Sequence, residues 1–259
     1  MTAADGRPLW VVGDIHGQFA KMKRLLQDAE LIDETLTWSG GDARVWFMGD
    51  FFDRGTDGIS SLALAMRMQE EAARAGGEVN ALLGNHEVGI LSALKFPDNH
   101  LLVQAWGRNG GMPDEPAKLT PDMVDWIIER PAMALVDDLL LMHADAGFYA
   151  LFGTSIEQVN EAIASSIRAK TPQGFEYLVD LFAEHQTFFT VHGNGIGRAH
   201  FMLDLFGGKR IVHGHTPIHH MSGEPPASIT GPFVYAHDLC MNVDGSIYSG
   251  GPGFAYRVS

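Results

Sequence analysis

The stretch Leu9-Trp10-Val11-Val12-Gly13-Asp14-Ile15-His16-Gly17 (LWVVGDIHG) decides the fold. A short apolar run rich in strand-forming residues reads as a strand over 9–13, and it stops at a glycine-flanked Asp and His. Residues 17–29 follow with Phe19, Met22, Leu25 or Leu26, and Ala29 at helical spacing, so one face of a helix is apolar. The same unit then repeats. Residues 44–49 (RVWFMG) predict a second strand and 57–75 a second helix. Residues 78–83 (EVNALL) predict a third strand and 85–95 a third helix. A βαβαβ run of this kind implies a largely parallel sheet.

Farther along the chain the signals change. Pro97, Pro113, Pro116 and Pro121 break 97–130 into short helices. Two strands are expected at 132–136 and 139–143, turning at Asp137-Asp138. Residues 155–184 read as helical with a break at Thr171-Pro172. Strands return at 209–213, 233–237 and 239–243, with two short ones from Ser246 onward, and Asp244-Gly245 suggests a hairpin turn. No repeat, low-complexity segment or long linker interrupts 1–259, so a single α/β domain is expected.

In open α/β sheets ligands bind beyond the carboxyl ends of the strands. Five expected strand ends in succession carry polar residues, mostly beside glycine. They are Gly13–Gly17 (GDIHG), Gly49–Gly55 (GDFFDRG), Gly84–Glu87 (GNHE), His143–Asp145 (HAD) and His213–Pro217 (HGHTP). Carboxylate, imidazole and amide oxygen without thiolate suit a borderline divalent metal such as Mn, Fe, Zn or Co. Asp14 and His16 lie two apart, so an extended strand end points both the same way. Arg54 offers a planar fork for phosphate oxygens. Any one such Asp or His alone would more often be a cap or a surface residue. Five in order at strand ends argue for a site.

These five motifs resemble the signature of the phosphoprotein phosphatase family within the calcineurin-like metallophosphoesterases. The 31 residues between the first and second motifs and the 28 between the second and third suit that family's spacing. The HAD form is similar to that of bacteriophage lambda-type and other bacterial phosphatases. The resemblance implies a four-layer α/β/β/α sandwich of two mixed sheets with two divalent metal ions at one end, Mn²⁺ being the leading choice and Fe, Zn, Co or Ni the others. It implies that Asp14 and His16 hold the first ion, that Asp50 bridges, and that Asn85, His143 and His215 complete the second. Arg54 would bind the substrate phosphate with the Asn85 amide, and His86, oriented by Asp53, would protonate the leaving oxygen. Hydroxide shared by the two ions would attack phosphorus directly. Two departures are visible. Pro217 stands where many calcineurin-like relatives have a further histidine. The family's second phosphate-binding arginine has Arg198 as its best counterpart here, with Arg168 behind it.

Several residues keep an alternative reading. His192 rivals His143 as the fourth-motif ligand, following the β-like run TFFTV. His213 shares a strand with His215 and is expected in an outer shell. Asp145 is either a partner of a ligand histidine or a turn residue. Cys240 lies in an apolar run and reads as a buried thiol, and the five tryptophans read as core and edge residues.

Composition bounds the function. With 18 Lys and Arg against 32 Asp and Glu, the net charge of −14 makes general nucleic-acid binding unfavourable. A phosphate-handling protein this acidic needs local positive charge, which bound metal supplies. No apolar run is long enough to span a membrane, and the opening MTAADGRPLW lacks a signal-peptide pattern. One cysteine fits a reducing, cytoplasmic setting. The leading expectation is a metal-dependent phosphomonoesterase acting on phosphoserine or phosphothreonine in proteins. Its rivals are hydrolysis of dinucleoside polyphosphates and, from another class, a non-catalytic phosphate-sensing or scaffold protein. Segments 97–130 and 144–200 are expected to shape the substrate cleft.

Overall fold

The structure is a computed structural model that describes residues 6–189 and 193–258. Strand β1 (Leu9–Val12), helix α1 (Phe19–Asp28), β2 (Arg44–Phe47), α2 (Gly58–Ala75), β3 (Glu78–Ala81) and α3 (Asn85–Lys95) follow the predicted alternation. Then come α4 (His100–Arg108), α5 (Pro121–Ile128), β4 (Met133–Val136) and β5 (Leu139–Met142). After these lie α6 (Ile156–Ala169), α7 (Pro172–Phe182), α8 (Gly195–Phe206), β6 (Arg210–His213), α9 (Ile218–Ser222), β7 (Phe233–Tyr235), β8 (Cys240–Asn242) and β9 (Ala255–Val258).

The strands form two mixed sheets. One has the order β3-β2-β1-β9, the other β4-β5-β6-β8-β7. In the first, β1, β2 and β3 are parallel and β9 runs antiparallel to β1. In the second, β5, β6 and β8 are parallel and β4 and β7 are antiparallel edges.

Alternation along the strands builds the layers. Leu9 and Val11 of β1 pack with Leu139 and Leu141 of β5, Val212 of β6 and Met241 of β8, making a core between the sheets. The intervening residues, Val12, Val45, Phe47, Leu140, Met142, Ile211 and Cys240, belong to the larger core. On that side α2 packs against β3, α6 against β4 and α8 against β6. The architecture is the expected α/β/β/α sandwich, with Cys240 buried in it.

Local chemistry explains most boundaries. Lys170 is left-handed after α6, the Thr171 side chain caps the next helix and Pro172 opens it, so the helix breaks where the sequence predicted. The Asp137-Asp138 turn joins β4 to β5, with Asp137 at positive φ.

The C-terminal reading needs correction. Asp244-Gly245 is not a hairpin turn, and a 3₁₀ turn at Ile247–Ser249 with the single strand β9 replaces the two short strands. Strand β8 is already paired on both sides, by β6 and β7, so no edge is open to a following strand. The chain crosses instead to the free edge of β1. Helix α8 was not anticipated; Gly195 and Gly197 in its first turn depress helix propensity. Among the described residues no helix is long and apolar enough to cross a membrane.

Candidate metal centre and phosphate cleft

The expected site residues meet at the carboxyl ends of β1, β2, β3, β5 and β6. Asp14, His16, Asp50, Asp53, His86 and His143 are all buried. His16, Asp50, Asp53, Arg54 and His215 adopt positive φ although none is glycine. Such backbone costs about 1–3 kcal/mol per residue and persists only where surrounding packing enforces it. Here the backbone amides of Ile15 and His16 both donate to the Asp50 carbonyl, and that of Gly17 to the Phe51 carbonyl, lacing the first motif to the second.

Glu87 adds a second lace. Its buried carboxylate accepts from the backbone amides of Asp50 (2.8 Å), Phe51 (2.8 Å) and Gly84 (2.9 Å). Burial and the neighbouring Asp50 charge push this carboxyl up to about 7, against the pull of its amide donors. Glu115 does similar work, accepting from the amide of Gly58 at 2.7 Å and, more weakly, from that of Asp53 at 3.5 Å.

Tautomers follow from partners, since a carbonyl oxygen only accepts. His16 Nδ1 donates to the Phe52 carbonyl at 3.1 Å and His143 Nδ1 to the Met48 carbonyl at 2.7 Å. In each neutral ring this turns the Nε2 lone pair inward, the arrangement usual for metal-binding histidines. His16 Nε2 lies 3.8 Å from Asp14 Oδ2 and 3.7 Å from Asp50 Oδ2. His143 Nε2 lies 3.4 Å from Asp50 Oδ1 and 2.9 Å from Asn85 Oδ1. His215 Nδ1 lies 2.8 Å from the same Asn85 oxygen and 3.2 Å from His143 Nε2. Both Asp14 oxygens accept from the His215 amide, and a Cβ on Gly214 would stand 2.1 Å from Asp14 Oδ1, so only glycine allows that approach.

The donors fall into two groups that share Asp50. One is Asp50, His143 and His215; the other is His16, Asp50 and His86. Nitrogen and oxygen atoms packed this tightly are the donor set of divalent cations of the borderline class. Burial, together with neighbouring imidazoles, keeps His16 and His215 well below the ordinary histidine value, so both present lone pairs. His143 differs: burial alone would depress it, but the Asp50 and Asp14 carboxylates push it up to about 10. In the metal-free protein it therefore holds a proton at neutral pH that a metal must displace. Raising the pH removes that competitor. Metal affinity is expected to rise about tenfold per unit between pH 7 and 9 with at least one proton released. Titration calorimetry in two buffers of different ionisation enthalpy measures this directly.

Asp53 and His86 form a separate pair. Asp53 Oδ2 accepts from His86 Nδ1 at 2.6 Å, leaving buried His86 Nε2 with no partner among the described residues, 3.9 Å from Asp50 Oδ2. Above this floor lies a cleft of about 580 Å³ lined by Arg54, Asn85, Asn109, His185, His215, Thr216, His220 and Tyr248, among others. The Arg54 guanidinium lies over the Tyr248 ring at 4.2 Å and donates from Nη1 to His16 Nε2 at 3.2 Å.

Other expected residues fall elsewhere. Arg198 does not line this cleft; it lines a separate cavity with Gly147, Glu184, Thr187 and Phe201, because α8 carries it to the flank. Arg168, on α6, pairs with Glu161 at 3.8 Å. Asp145 accepts from Thr216 Oγ1 and the Tyr235 hydroxyl rather than from a ligand histidine. His213 is buried and its Nε2 contacts that same hydroxyl at 2.8 Å. His192 lies outside the described residues. Sequence reading places none of Trp106, Asn109, Asp244 or Tyr248 at the site, taking Trp106 for a core or edge residue and Asp244 for part of a turn. Asp244 is a buried carboxylate behind Asp14 and Asp50, and burial pushes it up to about 7. The glycine-rich run Trp106–Gly111 was the available signal for the first two.

Comparison with known proteins agrees with this geometry. The family model "Calcineurin-like phosphoesterase" matches residues 7–240. Shewanella-like protein phosphatase 2 of Arabidopsis thaliana is 38% identical over 80 residues, 31% of this chain but only 20% of that protein. The symmetrical bis(5'-nucleosyl)-tetraphosphatase of Vibrio cholerae is 22% identical over 221 residues, 85% of this chain and 74% of that one. Among solved structures, a cold-active protein tyrosine phosphatase superposes with a TM-score of 0.73 at 20% identity, covering 95% of this chain and 72% of that one, which shows the fold. The chain belongs to the calcineurin-like phosphoesterases, its motifs fit their phosphoprotein phosphatase branch, and it is a phosphoric ester hydrolase.

Proposed function

We propose that the protein hydrolyses phosphomonoesters, with phosphoserine and phosphothreonine in proteins as the leading substrates. One observation carries this reading. Among the described residues lining the cleft, Arg54 is the only arginine or lysine. One guanidinium beside a two-ion donor set matches a single phosphoryl group. A tetraphosphate chain would bring several further negative charges to a protein already at −14, with no further lysine or arginine among the described lining residues to meet them.

Asp14, His16 and Asp50 would hold one ion, and Asp50, Asn85, His143 and His215 the other. When bound, two divalent ions supply an acidified water and positive charge for the oxygens of an in-line displacement. The chain's own residues do the rest. Arg54 grips two phosphoryl oxygens and is itself supported by the Tyr248 ring beneath it. The Asn85 side chain uses its oxygen toward His143 and His215, which leaves its amide hydrogens for the substrate phosphate. His86 delivers a proton from Nε2 to the departing oxygen, and Asp53 at Nδ1 stabilises the imidazolium that does so.

The test is a competition of substrates. Phosphoserine and phosphothreonine peptides are expected to exceed diadenosine tetraphosphate in kcat/KM by at least about tenfold, and the reverse order would overturn the assignment. Loss of charged hydrogen bonds worth about 1.5–3 kcal/mol implies that Arg54→Ala lowers kcat/KM roughly 10- to 100-fold. Metal content should be unchanged by inductively coupled plasma analysis.

A further inference from the structure

The segment Trp106–Gly111, at the end of α4, reaches two residues of the proposed chemistry at once. The Trp106 indole Nε1 donates to Asp53, 3.0 Å from each carboxylate oxygen. Three residues on, the Asn109 carbonyl accepts from Arg54 Nε at 3.3 Å, and the Gly110 carbonyl accepts from the Arg54 backbone amide at 2.9 Å. Asp53 and Arg54 are neighbours in sequence, both at positive φ, so the segment grips a strained pair.

The local sequence is shaped for this grip. Gly110 has φ +96, and a Cβ there would stand 2.7 Å from Arg54 Cγ. A Cβ on Gly111 would stand 2.5 Å from Trp106 Cδ2 and one on Gly89, across on α3, 3.0 Å from Trp106 Cδ1. The indole thus lies against two surfaces that only glycine leaves open. It is nearly buried, at 7% exposure, so its N–H donates in a water-poor setting where a charged hydrogen bond is strong.

We propose that Trp106 is a positioning residue for leaving-group protonation, acting on His86 through Asp53. The inference rests on the reading of His86 as general acid. Asp53 needs one oxygen aimed at His86 Nδ1, and the indole N–H, 3.0 Å from both carboxylate oxygens, restrains its rotation. Without the indole N–H, Asp53 swings more freely and no longer fixes the His86 ring, so Nε2 is not held toward the departing oxygen. The loss falls on substrates whose leaving oxygen must be protonated as the P–O bond breaks. It spares those whose leaving group departs as a stable anion.

The test replaces Trp106 by Phe and, in parallel, by β-(3-benzothienyl)alanine, which keeps the indole shape but exchanges N–H for sulfur. The metal-loaded enzyme is assayed on aryl and alkyl phosphates spanning a wide range of leaving-group pKa. Both replacements are expected to lower kcat about tenfold or more on alkyl phosphates and less than about twofold on 2,4-dinitrophenyl phosphate, with KM and metal content unchanged. They are also expected to add nothing in an Asp53→Asn background. A loss equal across the series, or no loss with the benzothienyl residue, overturns the proposal. His86→Asn in the same series separates the two readings. If it shows no leaving-group dependence, the general-acid assignment fails. If it shows one and the Trp106 replacements do not, only the positioning role fails.

Discussion

Asp50→Asn is expected to remove most of the activity while leaving the fold in place. Asp50 is the one residue shared by both donor groups. Its burial opposes ionisation, but the His143, His86 and His16 imidazoles hold it well below the ordinary carboxylate range. An amide of the same shape keeps the acceptor for the His86 backbone amide, now 3.0 Å from Oδ1. It loses the charge that would hold two cations side by side. Ions that stabilise phosphoryl charge contribute several kcal/mol to the barrier, and about 4 kcal/mol corresponds to roughly 10³-fold in rate. A drop on the order of 10³-fold in para-nitrophenyl phosphate hydrolysis is therefore expected. Metal content should fall below two per chain and the circular dichroism spectrum should be unchanged. Wild-type activity in this variant would remove Asp50 from the bridging position.

The candidate metal donors are legible because each sits in a short motif at a strand end, where periodicity changes from two to 3.6. Asp14, His16, Asp50, Asn85, His143 and His215 are tied to local patterns of glycine and β-rich residues. What surrounds them is not local. Tyr248 reaches Arg54 from 194 positions away along the chain, and its own neighbourhood read as the start of a strand. Trp106 reads as a core or edge residue, and only the packing of α4 on α3 turns its N–H toward Asp53. Arg198 illustrates the converse. A family pattern asks for an arginine between the fourth and fifth motifs, and sequence supplies one, but the pitch of α8 faces it into another cavity. The C-terminal error has the same origin. Whether Asp244-Gly245 becomes a hairpin depends on the vacancy of an edge, which pairing across the whole sheet decides.

Glu87→Ala is expected to cost more stability than any other single change at the site. Of the GNHE motif, Asn85 lines the cleft and His86 lies buried beside Asp53 and Trp106, whereas Glu87 points back under the second motif and is wholly buried. Its carboxylate satisfies the amides of Asp50, Phe51 and Gly84, two of them in the strained turn that presents Asp50. An alanine leaves three buried donors unmatched and a cavity the size of a carboxymethyl group. At about 1–3 kcal/mol per unsatisfied donor, offset where water enters, the loss is on the order of 3–6 kcal/mol. That is a large part of the 5–15 kcal/mol typical of a folded domain. Urea unfolding of the metal-free protein measures it. Glu87→Gln separates packing from charge, because its amide can accept at only one atom and its NH₂ faces a backbone donor. It should recover less than half of the lost stability. If the turn presents Asp50 only while Glu87 holds it, both variants will also bind metal more weakly than wild type at pH 7, even under conditions where they remain folded. Full metal affinity in a folded Glu87→Ala protein would mean that the strained turn at Asp50 is enforced by the sheets alone.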